Sequence, residues 1–355
     1  MQELKRIINY KRIILLLIAA TVNVVFFLYD NKPVMDEDII NKENVAHETY
    51  IKNYHEEVNA IIDNADKLKK YSIFNKAGSF SYANILQTAR DFERVKNVIL
   101  PEDEYKGVQA YTTYYYQYFF TMLVMMFVIY DMFAQRDNGM WSITYSCANG
   151  RIMYAIKQTG VIVVTGAFTH TLIYWSTFIA AMLQRGGVRD LVNPVQTIET
   201  FDKFTYPWSK IKYVTVLYLI SMVCIVALCI TIWGVFVMFR NRVYALVTML
   251  IFAAVEQFIY SHIDIHSVWN GLHYINIINI ININATFSSY RNWGVGTYVF
   301  PVFSVVLFVH IICAGVIGYI AINVSASMKP YKNTTFIKRF TDCVSAGCQK
   351  ILARI

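Results

Sequence analysis

Apolar residues in this chain gather into runs long enough to cross a bilayer, and the charged residues gather between them. A helix rises about 1.5 Å per residue, so a hydrocarbon layer of roughly 30 Å needs about 17–25 apolar residues. Stretches of that kind fall at 13–29, 114–133, 159–183, 214–239, 244–260 and 298–324. The pattern predicts an all-α integral membrane protein with about six transmembrane helices. Prolines stand at 33, 101, 194, 207, 301 and 330, outside these runs or at their edges, where a residue with no N–H can end a helix without breaking one.

Between the first two runs, residues 30–113 carry 11 Lys or Arg and 15 Asp or Glu, the composition of a soluble module. Ile51, Tyr54, Val58, Ile61, Ala65 and Leu68 recur at spacings of three and four, which marks one apolar seam on a helix. A turn-rich stretch, 75–81, separates it from a second series at Ile85, Ala89, Phe92, Val95 and Ile99. Two such seams predict an extracytoplasmic helical hairpin standing on the membrane. At its foot Tyr111, Tyr114, Tyr115, Tyr116 and Tyr118 read as an interfacial anchor, with phenol hydroxyls among the headgroups; a stacking surface for a ligand is the other reading. Between the fifth and sixth runs, Asn276, Asn279 and Asn282 alternate with isoleucines. That segment is too polar to span and too apolar to be a free loop, so it predicts a short re-entrant or interfacial helix. An asparagine-lined filter is the alternative.

Composition agrees with the pattern: 56% of the 355 residues are hydrophobic and only 16% charged, against roughly a quarter in a soluble domain. The net charge of +8 points to topology rather than to nucleic acid, because the basic residues sit beside the apolar runs. Lys5, Arg6, Lys11 and Arg12 precede the first run. Arg136, Arg151 and Lys157 lie in the 134–158 loop, Arg240 and Arg242 in the next short turn, and six basic residues in the 325–355 tail. Positive segments resist translocation, so both termini are expected in the cytoplasm, although 184–213 carries five basic residues on the opposite side. The first run is longer than a secretory h-region and has no small-residue cleavage pattern, so it reads as a retained signal anchor.

Chemistry is sparse. The chain has no G-x-x-x-x-G-K-[ST] phosphate loop, no H-E-x-x-H and no G-x-S-x-G, so the motifs point neither to an enzyme nor to a self-powered pump. Cys147, Cys224, Cys229, Cys313, Cys343 and Cys348 are all expected in spans or on the cytoplasmic side, where structural disulfides are not expected, and no metal or cofactor site is expected. Polar groups inside the hydrocarbon are costly and mark function by default. Glu256 with Gln257 is the clearest, either a pathway carboxylate or one that snorkels to the interface; Asn23, His170 and Ser221 are lesser candidates for lining a substrate pathway. The cytoplasmic stretch 135–157 mixes charge, glycine and exposed Met140 and Trp141, which suits docking to a partner.

The layout resembles the permease subunits of type-2 ATP-binding-cassette exporters, particularly those of Gram-positive bacteria with a large outer domain after the first helix. Asp137 and Gly139 after the second span, Gly150 and Arg151 at the end of the loop, and Lys157 before the third occupy the places that these permeases give to an acidic or polar residue, small residues and basic ones. Asp137 stands where Glu is more usual, and Cys147-Ala148-Asn149 replaces a Pro-containing turn. Pro194-Val195-Gln196 with Phe201, and Tyr290-Arg291-Asn292, also look like elements of the group. The resemblance implies an exporter of a peptide, drug or lipid-like substrate. Arg136, Asp137, Gly139, Met140, Trp141, Gly150 and Arg151 would then form the coupling segment for a separate ATPase subunit that holds ATP and Mg, and residues 1–12 would form an elbow helix. It further implies a second permease subunit, identical or related. A membrane sensor or scaffold with an outer ligand-binding domain, and a channel, are the rival readings.

Overall fold

The computed structural model describes residues 10–33, 36–71, 74–101, 106–137, 150–239, 241–263, 267 and 269–327. Helix α1 (Tyr10–Asp30) is followed by α2 (Glu37–Leu68), α3 (Phe80–Glu93), the short α4 (Gly107–Thr113), α5 (Tyr116–Asp137) and α6 (Gly150–Arg185). Three 3-10 turns (Arg189–Val192, Val195–Thr197, Glu199–Phe201) lead to α7 (Lys210–Met238) and α8 (Arg242–His262). Short helices α9 (Asn270–Ile275), α10 (Ile278–Ile281) and α11 (Ile283–Ser288) precede strands β1 (Asn292–Val295) and β2 (Tyr298–Pro301), and α12 (Val302–Ser327) closes the described chain. Six of these helices, α1, α5, α6, α7, α8 and α12, are long and apolar enough to cross a membrane. The protein is therefore a multi-pass membrane protein, all-α among the described residues apart from one two-stranded hairpin.

The most enclosed of the six is α7, and the least enclosed is α8. Close approach to α12 is bought by small residues: a Cβ on Gly234 would stand 2.4 Å from Ile317 Cγ2, and one on Gly318 would stand 3.0 Å from Ile230 Cγ2. Each glycine receives an isoleucine from the facing helix, the contact that drives association where lipid is as apolar as the side chains. On its other sides α7 meets α5 and α6 through Trp233, Phe236, Phe133 and Cys229, all buried.

The segments 30–113, 186–209 and 263–301 gather at one end of the bundle, the cap end, because alternate linkers of an even set of spans emerge together. Residues 138–149, between α5 and α6, lie outside the described residues, as do 1–9 and 328–355; Gly139, Met140, Trp141, nearly all of the elbow segment and the basic tail fall among them. In the cap, α2 and α3 pack on each other as the seams predict, with Tyr54 and Val58 against Phe92, Val95 and Leu100. Asp36 caps α2 by accepting the Asp38 N–H, and Ser79 caps α3 by accepting that of Tyr82. Ile99 departs from the expected seam and faces outward, because α3 ends at Glu93 and the chain turns away.

Two span boundaries differ most from the sequence expectation. The third span starts at Gly150, not 159, since nothing in Arg151 to Gln158 breaks a helix. The last span starts at Val302, because the residues before it alternate rather than follow a helical period. Trp293, Val295, Tyr298 and Phe300 lie on the exposed face of β1–β2, paired Trp293 with Phe300 and Val295 with Tyr298. Gly296 turns the hairpin at φ 62°, a conformation glycine adopts without steric cost. The expected single Ile/Asn helix is three short ones. Its breaks expose backbone groups that side chains satisfy, as described below.

The glycine contact gives a test. Gly234→Ile places a branched side chain where Ile317 already sits, an overpacking that costs about 1–3 kcal/mol. The detergent-purified variant should melt several degrees below the parent, whereas Gly160→Ala, at a glycine with open space around it, should leave the melting temperature unchanged.

Candidate functional site

Helix α6 presents His170, Tyr174, Thr177 and Phe178 on one face, and α7 presents Val214, Tyr218 and Ser221 toward it. His170 Nε2 and Ser221 Oγ lie 2.8 Å apart, and Ser221 Oγ donates to the Tyr218 carbonyl at 3.0 Å. The imidazole is sandwiched between the rings of Tyr118 and Tyr218, with centroids at 5.9 and 5.8 Å, and meets Tyr174 at 5.4 Å. Thr171 and Tyr218 share a hydroxyl hydrogen bond at 2.8 Å, and Tyr174 donates to the Val214 carbonyl at 2.7 Å. His170, Ser221, Tyr118 and Tyr174 are all buried. Among the described residues no carboxylate bonds to His170, so the pair is not arranged as a nucleophile relay. It is a set of buried hydroxyl and imidazole groups that satisfy one another across α6 and α7.

Asn23 lies one layer nearer the cap. Its Nδ2 donates to Thr177 Oγ1 at 2.7 Å, and its Oδ1 accepts the Tyr114 hydroxyl at 3.0 Å. Thr177 is two turns from His170, about 10 Å along α6. The structure thus brings together three of the residues singled out from sequence, Asn23, His170 and Ser221, as one polar stack along α6. The tyrosines are placed differently from expectation. Tyr111, Tyr114 and Tyr118 are buried in this stack instead of lying among headgroups, and Tyr115 alone of the five is exposed. The reason is that α4 ends at Thr113 and the chain bends before α5, which turns three of the rings into the bundle.

Glu256 is elsewhere. Its Oε2 accepts the Ile277 N–H at 3.0 Å, while Asn276 Nδ2 donates to the Glu256 carbonyl at 2.7 Å and Asn276 Oδ1 accepts the Ile278 N–H at 2.8 Å. The carboxylate satisfies the amide freed at the break between α9 and α10, the requirement that irregular backbone meets at membrane depth. Gln257, its neighbour, is exposed on the outer face of α8, so the two do not form one site. Asn276 and Asn279 are buried, and Asn276 lies in the break between α9 and α10. Asn284, not foreseen from sequence, accepts the Tyr213 hydroxyl and donates to the Thr112 carbonyl, each at 2.6 Å, which ties α11 to α7 and α4.

At the other end, Arg12 pairs with Asp131, and the Arg242 guanidinium lies 4.5 Å from the Tyr130 ring centroid, joining α1, α5 and α8. Arg136 and Asp137 end α5, Gly150 begins α6, the Arg151 side chain is half-buried and Lys157 is exposed. Asp131 lies 119 residues from its partner Arg12, and one charge near a helix end gives no sign of a contact at that separation.

The cap holds a fully buried ion pair that sequence reading missed. Lys210 meets Asp190, and Asn193 Nδ2 donates to Asp190 Oδ1 at 2.6 Å. Nearby, Tyr50 on α2 donates to the Gln196 carbonyl at 2.7 Å, and Lys106 pairs with Glu43. Burial, and then the Lys210 and Lys106 ammonium groups, hold the His47 imidazole below its ordinary 6.5 against the weaker opposite pull of Glu199 and Asp190.

Comparison with protein-family models, with curated proteins and with solved structures gives no match.

Two outcomes are expected. Ser221→Ala removes the partner of His170 and leaves a buried ring nitrogen unsatisfied, at about 1–3 kcal/mol. In a melting-temperature cycle, His170→Phe with Ser221→Ala should be less destabilising than the sum of the two single changes. For His47, a folded-state pKa below the unfolded value makes the unfolded chain the stronger proton binder as pH falls through 6.5. Docking of α2 should weaken from pH 7.5 to pH ~5.5, read as faster hydrogen exchange over 37–68, and His47→Gln should flatten that dependence.

Proposed function

We propose that this chain is the permease subunit of an ATP-driven exporter of the ATP-binding-cassette class, moving a peptide, drug or lipid-like substrate out of the cell. In this reading the end of the bundle bearing Arg12, Arg151 and Arg242 faces the cytoplasm, the α2–α3 hairpin lies outside, and the membrane is the cell membrane. ATP and Mg are held by separate ATPase subunits, and a second permease subunit completes the pathway. No step of nucleotide chemistry belongs to this polypeptide.

The observation that carries the reading is the geometry of α6. Its 36 residues make a rod of about 54 Å, against roughly 30 Å of hydrocarbon. The rod begins at Gly150 and Arg151, passes the His170–Ser221 stack, and ends where Arg185 donates to the Asn31 and Lys32 carbonyls in the cap. A push at its first turn reaches both the buried polar stack and the cap without crossing a hinge. That is the part a permease needs between an external motor and its pathway. Residues 136–151 supply the surface for the motor, with Trp141 and Met140 as apolar anchors and Arg151 at the root of the rod.

Purification from native membranes tests the pairing: an ATPase with a phosphate-loop motif should accompany the chain. Arg151→Glu should reduce that recovery about tenfold, a loss of ~1.4 kcal/mol, or leave the complex intact while uncoupling ATP hydrolysis from transport. Labelling of residues 138–149 from outside intact cells, or full activity of the isolated chain, would overturn the assignment.

A further inference from the structure

Among the apolar side chains at the cap end, Leu183, Val188 and Val192 are unusually bare, at 83%, 69% and 75% exposed. They belong to one short stretch, residues 183–192, with Arg189 exposed between the two valines. The stretch is held in place. Gly186 and Gly187 turn the chain at φ 72° and 112°, Asp190 is clamped by the buried Lys210 and by Asn193, and the Lys210 N–H donates to the Asn193 carbonyl at 2.9 Å. Two valines fixed outward by a buried ion pair are a built surface and not a slack loop.

The height of that surface follows from its neighbours. Gln184 donates to the Leu28 carbonyl at 3.0 Å and Arg185 to those of Asn31 and Lys32 at 3.0 and 2.9 Å, so the end of α6 is level with the end of α1. At 21 residues α1 is about 32 Å long and matches the hydrocarbon thickness, which makes Leu28 to Lys32 its exit from the membrane. The first turn of α7 is bonded to Asn193 at the same level. Along α6 the exposed Val164, Phe168, Ile179 and Leu183 fall within an arc of about 100°, a lipid-facing stripe that leads into the stretch.

We propose that residues 183–192 form a membrane-surface anchor whose occupant is the lipid bilayer itself: Val188 and Val192 insert at the boundary between acyl chains and headgroups, and Arg189 reaches the lipid phosphates. Apolar side chains beside a basic one at that depth are the chemistry of interfacial binding, and water is the costly alternative for a patch of this kind. The anchor fixes the height of the Lys210–Asp190 junction, and with it the platform on which α2 docks. It is independent of the exporter reading and holds for any six-span protein of this architecture.

The test uses the full chain in phosphatidylcholine vesicles, with its native cysteines replaced and its melting temperature checked against the parent. Spin labels are placed at 188 and 192, with Glu57→Cys as a water reference and Phe168→Cys as a lipid reference. Labels at 188 and 192 should be several-fold more accessible to oxygen than to a nickel chelate, between the two references. Phosphatidylglycerol should draw them deeper in the parent and not in Arg189→Gln. Accessibility equal to that of Glu57, or exclusion of both reagents as under a second protein copy, would overturn the anchor; a depth indifferent to anionic lipid would remove Arg189 from it.

Discussion

Lipid offers no hydrogen bond, so a polar group carried into the hydrocarbon must find its partner within protein, and that constraint organises the interior. Asn23 is met by Thr177 and Tyr114, His170 by Ser221, and Tyr213 by Asn284. Where helical hydrogen bonding lapses between α9 and α10, Glu256 and Asn276 supply what the backbone lost. Apart from the local Asn276–Ile278 bond, these links join residues that the chain separates by 21 to 154 positions. Polar pairing thus fixes which helices are neighbours, and apolar packing, closest where Gly234 and Gly318 admit isoleucines, fixes how near they come.

Links of this kind run along α6 and α7 and toward the cap, and at the loop end Arg12 pairs with Asp131 and Arg242 lies over Tyr130. An exposed surface pair contributes little, and Asp131 is largely exposed.

The cap follows a different logic. Its hairpin is a small apolar core of its own, Tyr54, Val58, Phe92, Val95 and Leu100. It is joined to the other cap segments by polar contacts, Tyr50 on Gln196, Tyr290 donating to Asp91 at 3.0 Å and Asn292 donating to Asn84 at 2.9 Å, and by Phe92 packed against the Tyr290 ring.

Much of this was legible from one dimension. Runs of apolar residues determined the six spans, because hydrocarbon thickness sets a length that a helix of known rise must meet. Spacings of three and four determined the α2 seam and most of that on α3, and Asn23, His170, Ser221 and Glu256 stood out as polar groups in apolar runs. The sequence misjudged residues 298–301 because a short alternating stretch merges with the apolar run after it, and it placed the tyrosines at the interface because ring burial depends on the bend after α4. Partnership was beyond it. That Glu256 satisfies Ile277, that Asp190 is buried against Lys210, and that Asn23 and His170 share one stack are decided by which helices pack together. Hydrogen bonds over such separations leave no periodicity in a single chain, and only the tertiary fold brings their ends within reach.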